Sequence, residues 1–366
     1  MDSVIPRKRI LYVDCLRILS IIAVIMLHYT AELLTTSNDF NSASWWISNF
    51  FNSISRFAVP VFFMISGAMI LRTEIGSYRA FFKKRVVPLL ISLISWSFIY
   101  GLYNQYFILK SKMGAFEFLL DFGYRLLTDR NYVHLWFLYA IIAIYLTVPL
   151  VSKFLKSCSE SDLRYYLLLW FIVNIAYRLV YDSVERLTGM QLSIPILNIP
   201  FFMGYLGYFI LGYYLYHFDL PLKAKNILFN MGILSFFIAP VATYFVSVHS
   251  GVLDEMFYGN YSITTFFMAA GMFVYFKEKE DAMSAKVNHK LQMLIGSVSK
   301  ASFSVYLIHL LIELIVSGGT EFQATVLEAA LHLAVNISLI FIISYVTVKI
   351  LNLNKAATYI LFGGRG

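Results

Sequence analysis

Long apolar stretches alternate with short polar ones along almost the whole chain. A stretch of about 20 apolar residues is long enough to cross a bilayer as a helix. Ten such stretches can be drawn, at roughly residues 10–33, 51–71, 86–109, 133–155, 164–183, 200–217, 226–248, 258–276, 297–317 and 326–350. The sixth is short and interrupted by glycines. The pattern predicts an all-α integral membrane protein with about ten transmembrane helices.

The polar segments between these stretches are short. The two longest, about 110–132 and 277–297, have lengths typical of a loop or an interfacial helix. We therefore expect residues 1–366 to form a single polytopic membrane domain, with no separate soluble domain. Composition agrees, because the chain is 59% hydrophobic and only 14% charged, with a mean hydropathy of +0.71, whereas soluble domains carry about 25% charged residues.

The distribution of basic residues tests this map. Of the 29 Lys and Arg residues, 21 fall on the side of the N-terminus, 6 fall on the opposite side, and Arg17 and Arg56 lie near or within the membrane. Basic residues concentrate on the cytoplasmic side of membrane proteins. The map therefore predicts cytoplasmic N- and C-termini. It also assigns the net charge of +8 to topology, so no nucleic-acid partner is expected.

The first apolar stretch carries four ionisable residues, Asp14, Arg17, His28 and Glu32. Charged groups at membrane depth are costly and usually face the protein interior or a water-filled cavity. Arg17 and His28 are eleven residues apart, close to three helical turns, and therefore share one helix face. Asp14 lies one turn before Arg17 and Glu32 one turn after His28. The spacing predicts one polar stripe along an otherwise apolar helix.

Each residue of this stripe has a functional and a structural interpretation. A neutral His28 could accept a proton from a hydroxyl group as that group attacks an electrophile, with Glu32 orienting the imidazole. Arg17 offers a planar set of donors that suits phosphate or carboxylate. The alternatives are a histidine hydrogen-bonded inside a helix bundle and a structural Asp14–Arg17 ion pair.

A dense basic cluster, Lys83, Lys84 and Arg85, immediately precedes the third apolar stretch on the cytoplasmic side. It could hold an anionic donor, such as the phosphates of an acyl-coenzyme A. The alternative is a topology signal that also contacts anionic lipid. On charge alone, the second interpretation is favoured.

Three further places carry candidate residues. His134 and Trp136 stand at the external start of the fourth stretch, where an interfacial aromatic belt is the favoured interpretation and a functional role is the alternative. His309 and Glu313 lie one turn apart in the ninth stretch, either as a structural pair or lining a common cavity. Arg56 lies in the second stretch, shortly before Pro60 and Gly67, which allow a bent, closely packed helix.

Other chemistries find no support in the sequence. The chain has no Walker loop, no G-x-G-x-x-G and no H-E-x-x-H motif. Its two cysteines, Cys15 and Cys158, lack metal-ligand spacing. We therefore expect no metal site and no permanently bound cofactor.

Four ordered motifs make the chain resemble the acyltransferase-3 family of multi-spanning membrane acyltransferases. Arg17 and His28 match its R-x10-H signature, and Val59-Pro-Val-Phe-Phe-Met-Ile-Ser-Gly67 looks like its V-P-x-F-F-x-x-S-G stretch. Leu135-Trp-Phe-Leu-Tyr139 and Tyr306-Leu-Ile-His309 complete the set. One departure concerns the family's R-x-x-R before a proline: Arg85 fits the second arginine, but Phe82 occupies the first position.

The resemblance implies an O-acyltransferase of the bacterial inner membrane. It would use acetyl-coenzyme A as cosubstrate and transfer the acetyl group to a hydroxyl of a cell-surface or lipid-linked sugar. His28 would be the general base, with Arg17, Asp14 and Glu32 beside it. Arg85, Lys84 and Lys83 would bind the donor, and Arg56, His134, Trp136 and His309 the acceptor. Membrane lipids and a second copy of the chain are further expected partners. The competing hypothesis is a transporter or flippase in which Arg17 and His28 line the transport path.

Overall fold

The protein is a bundle of helices. The computed structural model describes residues 9–110, 113–190, 204–316 and 325–364, and the regular structure in these ranges is entirely helical. The helices are α1 (Leu11–Thr36), α2 (Ala43–Ser55), α3 (Ala58–Ile70), α4 (Tyr78–Tyr103), α5 (Ala115–Thr128), α6 (Trp136–Ser157), α7 (Glu160–Phe171), α8 (Tyr177–Thr188), α9 (Leu206–His217), α10 (Leu222–Ser250), α11 (Ile263–Glu278), α12 (Glu280–Lys286), α13 (His289–Val316), α14 (Val326–Leu351) and α15 (Lys355–Phe362). Two π-helical turns, Asn104–Ile108 and Ile172–Ala176, follow α4 and join α7 to α8.

Within the described ranges, eight helical segments are long and apolar enough to cross a membrane. They correspond to eight of the ten predicted stretches. The other two, the sixth and the eighth, contain the shorter helices α9 and α11, of 12 and 16 residues, and residues 200–203 of the sixth lie outside the described residues. The all-α membrane fold is confirmed, while the count of ten spans and the cytoplasmic termini stay predictions.

Helix α1 lies inside the bundle and packs against α2, α3, α13 and α14. Its N-terminus is capped by Glu280 of α12, whose carboxylate accepts hydrogen bonds from the amides of Leu11 (3.0 Å) and Tyr12 (2.6 Å). Amides in the first helical turn have no partner within the helix, and a negative charge there complements the helix dipole. The helix that carries Arg17 and His28 is therefore held at its N-terminal end as well as along its length.

Helices α2 and α3 form one membrane segment with a break at Arg56 and Phe57. Pro60, the third residue of α3, explains the break. Proline has no amide hydrogen to donate to the carbonyl of Arg56, four residues earlier, and its ring crowds that carbonyl. The break lies in the stretch where a bend was expected, and the bend itself stays a prediction.

Helices α3 and α9 approach each other backbone to backbone. A Cβ atom at Gly67 would overlap the carbonyl group of Phe209, and one at Gly212 would overlap the backbone of Met64. Small residues allow this close approach between membrane helices, where packing rather than water exclusion drives association.

Replacing Gly67 with alanine is therefore expected to force α3 away from α9 and to destabilise the detergent-solubilised protein. Overpacking of this kind typically costs about 1–3 kcal/mol, which a thermal unfolding curve detects. Gly76→Ala is the matched control, because a Cβ there meets no atom within 4 Å. Equal unfolding temperatures for the two variants would contradict the close contact.

Candidate active site

The polar stripe of α1 borders two cavities, one beside Arg17 and one beside His28. The first, here called the Arg17 cavity, has a volume of about 250 Å³. Three cationic side chains line it, from Arg17, Arg85 and Lys300, and none of its described lining residues is acidic. The rest of the lining is mainly aromatic and aliphatic. Such a cavity suits a ligand with both an anionic and an apolar part.

Asp14 helps to fix the neighbourhood of Arg17 but does not line the cavity. One of its carboxylate oxygens, Oδ1, accepts a hydrogen bond from Ser299 Oγ at 2.5 Å and lies 3.7 Å from Arg17 Nη1. The other oxygen accepts from Arg9 Nε. Because Asp14 is bonded mainly to Arg9 and Ser299, the guanidinium of Arg17 still has N–H groups that can donate hydrogen bonds to a ligand in the cavity. The Asp14–Arg17 ion pair and a ligand-binding role for Arg17 are thus compatible.

The structure separates the three residues of the predicted basic cluster. Arg85 lines the Arg17 cavity, whereas Lys83 and Lys84 are exposed and lie outside its lining. Lys300 of α13 takes part instead, a residue that the sequence offered only as one more cytoplasmic charge. No spacing rule links Lys300 to Arg17, since they meet only through the packing of α13 on α1.

The second cavity, here called the His28 cavity, is larger, at about 580 Å³. Its lining is rich in groups that donate and accept hydrogen bonds. These are His28, Glu32, Thr35, Ser97, Tyr100, Asn104, Arg125, Asn131, Tyr132 and Glu313. Two of the rings, Tyr100 and Tyr132, stack with a centroid distance of 4.4 Å. This combination of polar groups and flat rings suits a polyhydroxylated ligand such as a sugar.

Three histidines from separate parts of the chain lie together: His28 on α1, His309 on α13 and His134 in the turn before α6. The ring centroids of His28 and His309 are 5.3 Å apart, those of His134 and His309 are 5.4 Å apart, and those of His28 and His134 are 6.3 Å apart. His134 and His309 are almost completely buried. The sequence predicted each of these residues separately, and the fold brings them together. A position inside this cluster, rather than in an interfacial aromatic belt, accounts for His134.

Tyr306 joins this cluster to the Arg17 cavity. Its side chain lines that cavity, its ring lies 5.4 Å from His134 and 5.9 Å from His309, and its hydroxyl donates to the carbonyl of His134. A continuous series of rings therefore connects the two cavities: Tyr306, then His134 and His309, then His28.

The tautomer of His309 follows from its hydrogen bond. Its Nδ1 lies 2.6 Å from the carbonyl oxygen of Tyr306. A carbonyl can only accept, so Nδ1 carries the proton and a neutral ring has its lone pair on Nε2. Nε2 has no hydrogen-bond partner among the described residues. The His309 ring beside His28 is thus held in one orientation, and its Nε2 can accept a hydrogen bond.

The carboxylates predicted near the histidines line the His28 cavity. Glu32 is exposed within it and forms no hydrogen bond with His28, whereas Glu313 is buried one turn beyond His309. The alternative in which His309 and Glu313 belong to a common site with His28 is therefore the one that the geometry favours. Orientation of the His28 ring by Glu32 stays a prediction.

Arg56 and Trp136 lie outside the described lining of both cavities. Arg56 donates to Asn52 Oδ1 from Nε and Nη2 at 2.8 and 2.6 Å, and its guanidinium lies 4.0 Å from the centre of the Tyr258 ring. Asn52 in turn donates to the carbonyl of Leu27, next to His28. Trp136 packs on Tyr205 with ring centroids 5.4 Å apart.

These contacts predict that Arg56 supports the fold around His28 without binding substrate. Arg56→Gln is expected to lower the unfolding temperature, because it removes charge-assisted bonds worth about 1.5–3 kcal/mol each. The KM values of donor and acceptor should stay unchanged. Steady-state kinetics beside an unfolding curve checks both points, and a rise in acceptor KM with normal stability would restore the predicted substrate-binding role.

Comparison with known proteins agrees with this architecture. A family model described as an acyltransferase domain matches residues 10–349. The chain belongs to the acyltransferase-3 family. The match includes the residues of both cavities, and it confirms the resemblance found in the four sequence motifs. No protein of curated function and no solved structure matches the chain.

Membership of the acyltransferase-3 family establishes the general activity and setting of the protein. The family match and the eight helical segments of the described ranges that are able to cross a membrane together identify a multi-pass membrane acyltransferase. The two cavities and the histidine cluster between them are the candidate active site of that acyltransferase.

Proposed function

We propose that this protein transfers an acetyl group from acetyl-coenzyme A to a hydroxyl of a cell-surface or lipid-linked sugar in the bacterial inner membrane. One observation carries the proposal. A cation-lined cavity and a cavity rich in hydrogen-bonding groups are connected by the ring series that runs from Tyr306 to His28.

The Arg17 cavity would receive the donor. Its cations suit the phosphates of coenzyme A, since guanidinium groups bind phosphate through paired, charge-assisted hydrogen bonds. Its apolar walls suit the thioester arm. Arg17 and His28 stand eleven residues apart on α1, about 16 Å along the helix axis. A donor with a long, narrow arm could therefore keep its phosphates near Arg17 and bring its thioester towards the histidines.

The His28 cavity would receive the acceptor, whose hydroxyl His28 would activate. In this mechanism His28 removes the hydroxyl proton as the oxygen attacks the thioester carbonyl carbon, and a C–O bond forms. The tetrahedral intermediate then collapses, the C–S bond breaks, and the coenzyme A sulfur leaves and takes up the proton from the protonated His28. The products are an O-acetyl ester and free coenzyme A thiol, so atoms and charge balance.

The site has polar groups placed to support these steps. His309, with its free Nε2, lies beside His28 and could stabilise the imidazolium that forms. Arg17, at the phosphate end of the donor in this arrangement, would hold the donor in position rather than contact the reacting thioester. We keep Glu32 as the proposed orienting group for His28 and Asp14 as the residue that positions Arg17.

Turnover by the purified protein tests this function. Proteoliposomes would be given acetyl-coenzyme A labelled in its acetyl group, together with glycans extracted from the cell envelope. We expect one free thiol for each acetyl ester formed on glycan. Glycan movement into vesicles that lack acetyl-coenzyme A, without thiol release, would instead support the transporter hypothesis and overturn the proposal.

A further inference from the structure

Helix α5, between α4 and α6, has its polarity reversed relative to a surface helix of a soluble protein. Its exposed face carries Phe116, Leu119, Leu120 and Leu127, which expose 73, 56, 60 and 87% of their surfaces. These positions follow the spacing of one side of a helix. We call these four residues the apolar face of α5.

The opposite side of α5 faces the protein and carries charge. Asp121 and Arg125 form an ion pair at 2.7 Å on this side, and Arg125 lines the His28 cavity. Phe118, also on this side, is buried against Phe98 of α4, with ring centroids 5.6 Å apart. The helix thus turns charge inwards to the cavity and apolar side chains outwards.

The C-terminal end of α5 is fixed to the start of α6. The hydroxyl of Tyr139 donates to the carbonyl of Leu126 at 2.7 Å, and Asn131 donates to the hydroxyl of Tyr139 at 2.7 Å. Asn131 itself lines the His28 cavity. The position of α5 relative to the cavity is therefore determined by hydrogen bonds as well as by the packing of Phe118.

The helix on which α5 packs, α4, also exposes apolar side chains and is long and apolar enough to cross the membrane. Ile94 and Phe98 on the spanning helix α4 are exposed, and so are Phe107 and Ile108 in the π-helical turn that follows it. Contiguous exposed apolar surface marks contact with a membrane or a partner. Helix α5 packs on α4, which is long and apolar enough to cross the membrane, and both helices expose apolar side chains, so lipid is the occupant that fits the apolar face of α5.

We propose that α5 lies in the plane of the external membrane leaflet, with its apolar face in lipid, and that the His28 cavity beneath it takes acceptors that are anchored to a lipid. An amphipathic helix of this kind buries its apolar side at the boundary between head groups and acyl chains. The wall of the cavity that carries Arg125 is then at head-group level. A sugar held there by a lipid tail reaches the cavity without leaving the membrane.

The part of this proposal that concerns the acceptor rests on the proposed acetyl transfer, whereas the position of α5 does not. The position can be measured in a Cys15→Ser, Cys158→Ser background of the full chain in proteoliposomes. Spin labels would be attached at Leu120→Cys and at Leu127→Cys, with Thr128→Cys on the polar side of the same helix as control. Their relaxation by oxygen, which concentrates in lipid, is compared with relaxation by a water-soluble nickel complex.

We expect the labels at positions 120 and 127 to be relaxed more strongly by oxygen and the label at 128 more strongly by nickel. Stronger relaxation by nickel at all three positions would overturn the membrane position of α5. Spin–spin broadening between labels at position 120 in different molecules would also overturn it, because the apolar face would then be covered by a second copy of the chain.

The acceptor class is tested with acetyl-coenzyme A labelled in its acetyl group and two pools from the same cells, the lipid-extractable and the water-soluble glycans. We expect wild type to label the lipid-extractable pool at least ten times faster. Leu120→Glu should lower that rate about ten-fold with the KM for acetyl-coenzyme A unchanged. Thr128→Glu, which adds the same charge on the other side of α5, should leave the rate near that of wild type.

Equal labelling of the two pools by wild type would overturn the lipid-anchored acceptor while leaving acetyl transfer intact. Equal effects of Leu120→Glu and Thr128→Glu would overturn the role of the apolar face. Absence of label in both pools would instead contradict the proposed function, and the spin-label result would then decide the position of α5 independently.

Discussion

Replacing His28 with alanine is expected to lower kcat about 10²–10⁴-fold. This is the contribution that a positioned general base typically makes, and His28 is the histidine that lines the cavity proposed for the acceptor. The KM for acetyl-coenzyme A should change little, because the site proposed for the donor phosphates is the Arg17 cavity. Initial rates of thiol release over a range of donor concentrations separate the two parameters.

The matched control for His28 is His249→Ala. His249 is exposed at the C-terminal end of α10 and lies outside the described lining of both cavities, so its removal should leave kcat near that of wild type. Normal membrane insertion and unfolding temperature must accompany the loss in His28→Ala. Acetyl transfer at the wild-type rate by a folded His28→Ala protein would remove this histidine from the mechanism.

Replacing Arg85 with glutamine should raise the KM for acetyl-coenzyme A about ten- to hundred-fold. A charge-assisted hydrogen bond contributes roughly 1.5–3 kcal/mol, and a glutamine keeps the bulk of the side chain while it removes the charge. The effect should vanish with acetyl-pantetheine, a donor that carries the thioester arm without phosphates. Steady-state kinetics with the two donors measures both values.

Lys84→Gln serves as the control for Arg85→Gln. The two residues are neighbours on α4 and both are positively charged. Lys84, however, is exposed and lies outside the described lining of the Arg17 cavity. Its replacement should leave both KM values unchanged. An equal loss of donor affinity in the two variants would show that the basic cluster acts through its summed positive charge. It would contradict a specific contact between Arg85 and a phosphate.

Local spacing in the sequence was enough to predict the features that lie along one helix. The three-turn separation of Arg17 and His28 predicted that they share one face of a helix. In the structure both residues lie on α1, and each lines one of the two cavities. Pro60 and Gly67 predicted a bent, closely packed segment for the same reason, since the effects of a missing amide hydrogen and a missing side chain are local.

Features that depend on contacts between helices could not be predicted in this way. The meeting of His134 and His309 with His28 requires the packing of three separate parts of the chain. Likewise, charge alone could not distinguish Arg85 from Lys83 and Lys84, because their different positions relative to the cavity follow from how α4 faces its neighbours.

The number of membrane spans shows another limit of the sequence. Helix α9 has only 12 residues in the described ranges, and most of its side chains are buried by other helices. An apolar stretch of that kind gives the same hydropathy signal whether it spans lipid or lies inside the protein. Composition therefore identified the class of fold correctly, while the count of ten spans remains a prediction.

We propose that acetyl passes from a donor on the cytoplasmic side, through the histidine cluster, to an acceptor on the external side. Sealed membrane vesicles of opposite orientation test this most directly, because acetyl-coenzyme A cannot cross the bilayer. The donor, labelled in its acetyl group, is added outside the vesicles only. We predict acetylated glycan in inside-out vesicles, whose cytoplasmic face is exposed, and none in sealed right-side-out vesicles. Equal acetylation in right-side-out vesicles would contradict the account.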